Sequence, residues 1–314
     1  MRLAEVWEHV RDVRWVLFIL AIGLATLTFP LRTIRWQYLL RFEGEPLPLV
    51  PLWHATAIGF MSTNITAGRA GEFVRAYAAR RLTGVRFTTA IGSIAVERVF
   101  DGITLLAMLA IAMWAGGFGG DTEVGSITLG RIGKLAGAAF AAALALAVTF
   151  VSWPKQALRA TRAITRRIMP ESWSLGVVAA VEGVISGLDS LRNPGRVVAV
   201  TFWSLAVWVA GAASFWLGYA AFGIEAPWSA ALMLQSMLAF GVAVQFSPGF
   251  FGQFEAVCRI TLALYAVGAG QAVSFAFGFH LGGFLPITML GLWSLSGAHL
   301  HLADLREAKD EGDG

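Results

Sequence analysis

Two stretches of this chain place charged residues beside glycines inside otherwise apolar, membrane-length segments. The first contains Asn64, Gly68, Arg69, Gly71, Glu72 and Arg75; the second contains Pro248, Gly249, Gly252, Gln253, Glu255 and Arg259. Each has two glycines three residues apart, then a glutamate, then an arginine three or four positions on. Between them Glu97, Arg98 and Asp101 fall inside one long apolar run. An ionised side chain within a span costs about 2.5–3.5 kcal/mol on insertion scales unless it is paired or hydrated. Residues kept at that cost point to a polar site, and arginines among carboxylates suit an anionic group such as a phosphate.

The spacings say how these charges can meet. Arg98 and Asp101, three apart, share a helical face, and Glu97 lies four before Asp101. Two acids and one base leave a negative charge unmatched, for which Arg69 or Arg75 is the expected partner. Arg69, Glu72 and Arg75 step by three and align on a helix starting near Gly68. Glu255 and Arg259 stand at i,i+4 with the acid first, the favourable order for a pair. Arg69, Arg75, Arg98 and Arg259 balance Glu72, Glu97, Asp101 and Glu255, so a neutral network that only holds the bundle together is the competing reading. Against it, well-packed apolar residues usually stabilise as well as buried ion pairs do. Helices beginning after Gly68 or Gly252 would aim free N–H groups and positive dipole ends into a cavity. Asn64, Thr66, Ser247 and Gln253 could add hydrogen bonds there, or simply cap helices.

The elements that hold these residues must be membrane helices. Of the 314 residues 57% are hydrophobic and 14% charged, with mean hydropathy +0.66, outside the range of ordinary soluble domains. Apolar runs predict an all-α, polytopic membrane bundle of about eight spans: 13–31, 49–66, 88–116, 132–152, 197–222, 229–246, 256–268 and 271–298, with two broken or re-entrant segments. One domain covers 1–303, and the acidic 304–314 reads as a disordered tail. Basic residues concentrate in 67–87 and 154–196 and are absent from 117–130 and 223–228. The positive-inside rule then predicts a multi-pass cell-membrane protein with both termini cytoplasmic. One segment dissents: 32–48 carries Arg32, Arg35 and Arg41 but counts as outside, with snorkelling from a long first helix as the explanation. Arg159, Arg162 and Arg166 recur at helical spacing and predict an amphipathic helix along the cytoplasmic face. Trp36, Trp53, Trp114, Trp153 and Trp228 fall near span ends, as an interfacial belt would. Gly133/Gly137 and Gly278/Gly282 read as close helix contacts.

Other signals are weaker. Gln235 and Gln245 either line a cavity or bridge helices. His280 reads as an interhelical donor before a proton relay, and His299 with His301 is a poor metal pair. No ligand set, nucleophile elbow or Walker-type loop occurs, so neither covalent catalysis, a cofactor, nucleic acid nor ATP use is expected.

The motifs Arg35-Trp36, Asn64-x3-Gly68-Arg69-x-Gly71-Glu72-x2-Arg75, Glu97-Arg98-x2-Asp101 and Pro248-Gly249-x2-Gly252-x2-Glu255, in this order, resemble those of the lysylphosphatidylglycerol synthase transmembrane-region family, also called the flippase-like domain family. The likeness runs over about residues 12–300. It implies helices around a lipid-accessible cavity and movement of a phospholipid or polyprenyl-phosphate-linked lipid between leaflets. The aminoacyltransferase domain of the namesake enzymes has no counterpart here, so their synthase activity is not implied. Phe250-Phe251 between the second pair of glycines is bulkier than a glycine-rich version. The expectation is a non-enzymatic lipid translocase whose partners are anionic membrane lipids, with a homo-oligomer or a biosynthetic partner enzyme left open. Arg69, Arg75 and Arg98 would bind phosphate while Glu72, Asp101 and Glu255 position them. The alternatives are a non-transporting accessory protein of lipid or glycan biosynthesis, and a membrane enzyme acting on a lipid phosphate.

Overall fold

A computed structural model describes residues 12–40, 46–66, 70–189 and 193–298. Gly68, Arg69, the pair His299 and His301, and the acidic tail lie outside the described residues. The remainder is almost entirely helical: α1 (Trp15–Leu39), α2 (Leu49–Ile65), α3 (Gly71–Thr83), α4 (Phe87–Gly116), α5 (Leu129–Ser152), α6 (Pro154–Ile168), α7 (Glu171–Asp189), α8 (Pro194–Ala221), α9 (Trp228–Gly241), α10 (Gln253–Ala263) and α11 (Ala269–Gly297). Five of them, α1, α4, α5, α8 and α11, are long and apolar enough to cross a bilayer. At 1.5 Å per residue each exceeds the roughly 30 Å hydrocarbon core.

The other three expected spans are short arms of two hairpins. By the same rise α2 is about 25 Å long and α9 about 21 Å, and both stop at the glycine-bearing breaks. Gly71 packs on Thr63 and Gly59 while Arg75 packs on Gly59, so α3 runs back along α2. A Cβ on Gly71 would overlap the Thr63 hydroxyl and the Gly59 carbonyl, which is why glycine stands there. The second hairpin, α9–α10, closes the same way. The Gln253 amide donates to the Val244 carbonyl (2.8 Å) and its oxygen accepts from Phe246 N (2.9 Å), and Val257 lies against Gly241. Pro248 has no N–H to continue a helix. Gly249 (φ 61°) and Gly252 (φ 84°) take left-handed conformations open to glycine, but Phe250 between them also sits at φ 63°. A phenylalanine there is strained.

The hairpins enter from opposite ends. At the Arg14 end, Arg14 N donates to Ala221 O (2.9 Å), Gln271 bonds the carbonyls of Phe222 and Gly223, and Tyr219 bonds Ala230 at the start of α9. Tyr265, just past α10, packs on Phe118, just past α4. At the Leu40 end, Trp36 bonds Ser93 near the start of α4 and His54 of α2 stacks near Trp293. The tips meet halfway along α11: Asn64 donates to Thr288 (3.0 Å) and the Gly249 carbonyl contacts His280 (2.7 Å). Gln245 joins tip to tip, donating to the carbonyls of Thr63 and Thr66 at the frayed end of α2. Two apolar clusters follow this division. One groups Trp36, Leu52, Ile58, Tyr77 and Leu295 around α2–α3; the other groups Phe215, Leu234, Leu262 and Phe275 around α9–α10.

The first described residues of α1 and the last of α11 lie at opposite ends of the bundle. Of the eight expected spans, 49–66, 229–246 and 256–268 are the shorter helices α2, α9 and α10. The amphipathic helix is present as α6, with Arg159, Arg162, Arg166 and Arg167 exposed. Gly278 and Gly282 do pack, against Phe222 and against Phe18 and Ile22, whereas Gly133 and Gly137 face open space. Trp36 is no interfacial residue: it is wholly buried.

Candidate functional site

Helix α4 carries the charges because two other helices supply partners for each turn. Glu97, with no exposed surface, holds Arg75 of α3 at 3.2 Å and Arg35 of α1 at 2.9 Å. Asp101, one turn further, accepts from Arg35 (2.5 Å), Arg98 (3.1 Å) and the Trp208 indole (2.7 Å). Ser204 takes a further hydrogen bond from Arg35 (3.0 Å). Arg98 also reaches Glu72 (3.3 Å), and both are about one-third exposed. Arg35, Arg75 and Arg98 thus balance Glu72, Glu97 and Asp101. The expected Arg98–Asp101 pair and the Arg75 partner for the third-span acids are both present.

The buried arginines are not equally satisfied. Arg75 is 3% exposed and its guanidinium lies 3.9 Å from the Trp36 ring centroid. One of its nitrogens binds Glu97; Nε and Nη2 are buried without a hydrogen-bond partner among the described residues. Arg75, Arg98, Glu72 and Gly71 line a cavity of about 130 Å³, many times the roughly 10–15 Å³ that one water needs. A larger cavity of about 260 Å³ lies on the other side of the tips, lined by Arg32, Gln235, Gly249 and His280 among others. Arg32 stands over the rings of Trp208 (4.7 Å) and Phe60 (5.7 Å) and forms no ion pair among the described residues. Asn64 and Phe250 border both cavities, so the strained phenylalanine divides them.

The second break differs from its expected form. Glu255 is buried and turns to other partners, whereas Arg259 is exposed. Glu255 Oε2 accepts from Gly252 N (2.7 Å) and its Oε1 meets His280 Nδ1 (2.6 Å). The start of α10 is therefore capped by its own carboxylate, and Gln253 and Pro248 shape the tip. Of the sequence-derived residues, the fold brings Asn64, Gly71, Glu72, Arg75 and Arg98 to one cavity and Gly249 to the other. Glu97 and Asp101 support them from behind. Arg32 and Arg35 were missed as site residues, although their misfit to the positive-inside pattern was the available signal.

The chain is 21% identical over 292 residues to a UPF0104 membrane protein of Methanothermobacter thermautotrophicus, covering 88% of this chain and 82% of that one. It is 24% identical over 288 residues to the glycosyltransferase AglD of Haloferax volcanii, covering 84% of this chain but only 46% of that protein. No solved structure matches the chain at a significant level. The profile of the lysylphosphatidylglycerol synthase TM region matches residues 1–291, and with that match the chain belongs to this family of membrane proteins.

Proposed function

We propose that this protein carries lipids with a phosphate-bearing headgroup between the leaflets of the cell membrane, without chemical change to them. The observation that supports this most is Arg75: a buried guanidinium with two nitrogens unpartnered among the described residues, beside a cavity where the tips of the two hairpins meet. Arg98 supplies a second cation in that cavity, and Arg32 supplies one in the larger cavity across Phe250. An anionic headgroup passing from one to the other would exchange one arginine for the next while its chains stay in the bilayer. Movement past Asn64 and Phe250 is the step that needs the tips to part. Opposed discontinuous helices at mid-depth are the arrangement expected around a translocation site.

The orientation that fits best has the Leu40 end in the cytoplasm. Arg80, Arg81, Arg86, Arg159, Arg162, Arg166 and Arg167 gather there, whereas the Arg14 end carries Asp121, Glu123 and Glu225 with Arg131 and Lys134. The 32–48 segment then no longer dissents, and the first described residues face outward. The partial match to a glycosyltransferase makes a sugar linked to a lipid phosphate one headgroup to include in the test.

The test is lipid exchange in reconstituted vesicles, with fluorescent phosphatidylglycerol, a polyprenyl phosphate and a neutral glycolipid compared. Arg75→Gln and Arg32→Gln should each slow exchange of the phosphate lipids at least tenfold relative to wild type. Equal rates for wild type, both variants and empty vesicles would refute the proposal.

A further inference from the structure

His280 of α11 hydrogen-bonds the second hairpin at two points, beside the packing of Phe251 on Phe284. His280 Nε2 lies 2.7 Å from the Gly249 carbonyl and its Nδ1 lies 2.6 Å from Glu255 Oε1. A carbonyl only accepts, so Nε2 must carry a proton. The short Nδ1–Oε1 contact needs one more proton between its two atoms, borne by either. Glu255 Oε2 is already committed as acceptor to Gly252 N–H. The geometry therefore fixes two protons on the pair, which is neutral overall. Removing one leaves a lone pair facing a carboxylate and breaks one of the two bonds holding the tip.

We propose that Glu255 and His280 form a proton-binding site that latches the tip of the α9–α10 hairpin, and that release of the proton loosens it. The rings of Phe251 and Phe254 lie against the imidazole (centroids 4.5 Å apart in each case) and keep water from replacing the lost bond. The site nevertheless borders the larger cavity through His280, which gives the proton a route out. Charged and titratable neighbours are few. Arg32 of α1 shares that cavity, α2, α8 and α9 contribute uncharged side chains to it, and Cys258 lies one turn from Glu255 on α10. Arg259 of the same helix is exposed. Because Gly249 and Phe250 belong to the latched tip, the proton would be the ion coupled to headgroup passage, a consequence that rests on the carrier reading above.

The experiment reads the latch without lipid movement. Protein in nanodiscs is followed from about pH 5 to 9 by nitrogen NMR of labelled histidine, with His280→Gln to assign the signal. In parallel, hydrogen exchange of residues 242–252 is measured and corrected for the intrinsic pH dependence of amide exchange. We expect wild-type exchange in this segment to rise several-fold with pH, in step with the His280 signal. Glu255→Gln should stay flat: its amide can donate to a neutral Nδ1 while its oxygen still accepts from Gly252, so every bond survives with no proton left to lose. A wild-type tip that exchanges equally across the range, or a Glu255→Gln variant that follows the wild-type curve, overturns the latch. Should that variant fail to fold, the wild-type titration decides alone. A protein that moves no lipid can still pass this test, so failure here is separable from failure of the carrier reading.

Discussion

Glu97→Gln isolates what the buried charges contribute. Glu97 has no exposed surface and holds Arg35 and Arg75, themselves 0% and 3% exposed. The three arginines and three carboxylates cancel, so the substitution leaves one uncompensated positive charge at the centre of the bundle. Arg35 retains Asp101, but Arg75 loses its ion pair and keeps only the face of Trp36. Removing one partner of a buried pair typically costs about 3–5 kcal/mol, most of it the penalty for the charge left behind. Combining Glu97→Gln with Arg75→Met restores neutrality and should recover a large part of that loss. Arg98→Met should cost less than Glu97→Gln, because Arg98 and Glu72 are each one-third exposed and water screens that pair, but more than an exposed pair alone would, because Arg98 also holds the buried Asp101. Reversible unfolding in mixed detergent micelles, followed by tryptophan fluorescence, gives the stabilities of wild type, these variants and Arg75→Met alone, which completes the cycle. A Glu97→Gln loss below about 1 kcal/mol, or strict additivity of the two substitutions, would show that the network is hydrated and refute the reasoning.

Other substitutions separate packing from transport. Gly71→Ala should destabilise the fold by more than 1 kcal/mol on the same scale, since its methyl overlaps the Thr63 hydroxyl and the Gly59 carbonyl; unfolding midpoints check it. Phe250→Gly removes both the strain of a left-handed phenylalanine and the side chain between the cavities. It should leave stability nearly unchanged while raising vesicle lipid exchange several-fold, and slower exchange would contradict a dividing role. Arg98→Met, compared at equal amounts of folded protein, should lower exchange of phosphate lipids at least fivefold without affecting passive leakage of a neutral glycolipid.

Much of the fold was legible because apolar run length and misplaced charge are local signals. The five helices long and apolar enough to cross, both breaks, and the Arg98–Asp101 and Arg75 pairings follow from spacing and charge balance. Re-entry was harder to read: 49–66 and 229–246 are as apolar as true crossings, and their direction depends on Gly59 meeting Gly71 and Gln245 meeting Thr63 and Thr66. Arg35 was hidden by a plausible exposed alternative, snorkelling, when Glu97 and Asp101 lay sixty and more residues away in sequence. The Glu255–His280 contact spans 25 residues and two helices, and no periodicity announces it, while Arg259 at i+4 offered a nearer and mistaken partner.

The two hairpins are held by forces of different kind. The first is clamped by a glycine-to-glycine helix approach and by directional ion pairs from Arg75 and Glu72. The second rests largely on phenylalanines, whose contacts change little in energy when surfaces slide, plus Gln245 and one histidine. The bundle is therefore stitched unevenly, by directional charged contacts around the first hairpin and mainly by ring packing around the second.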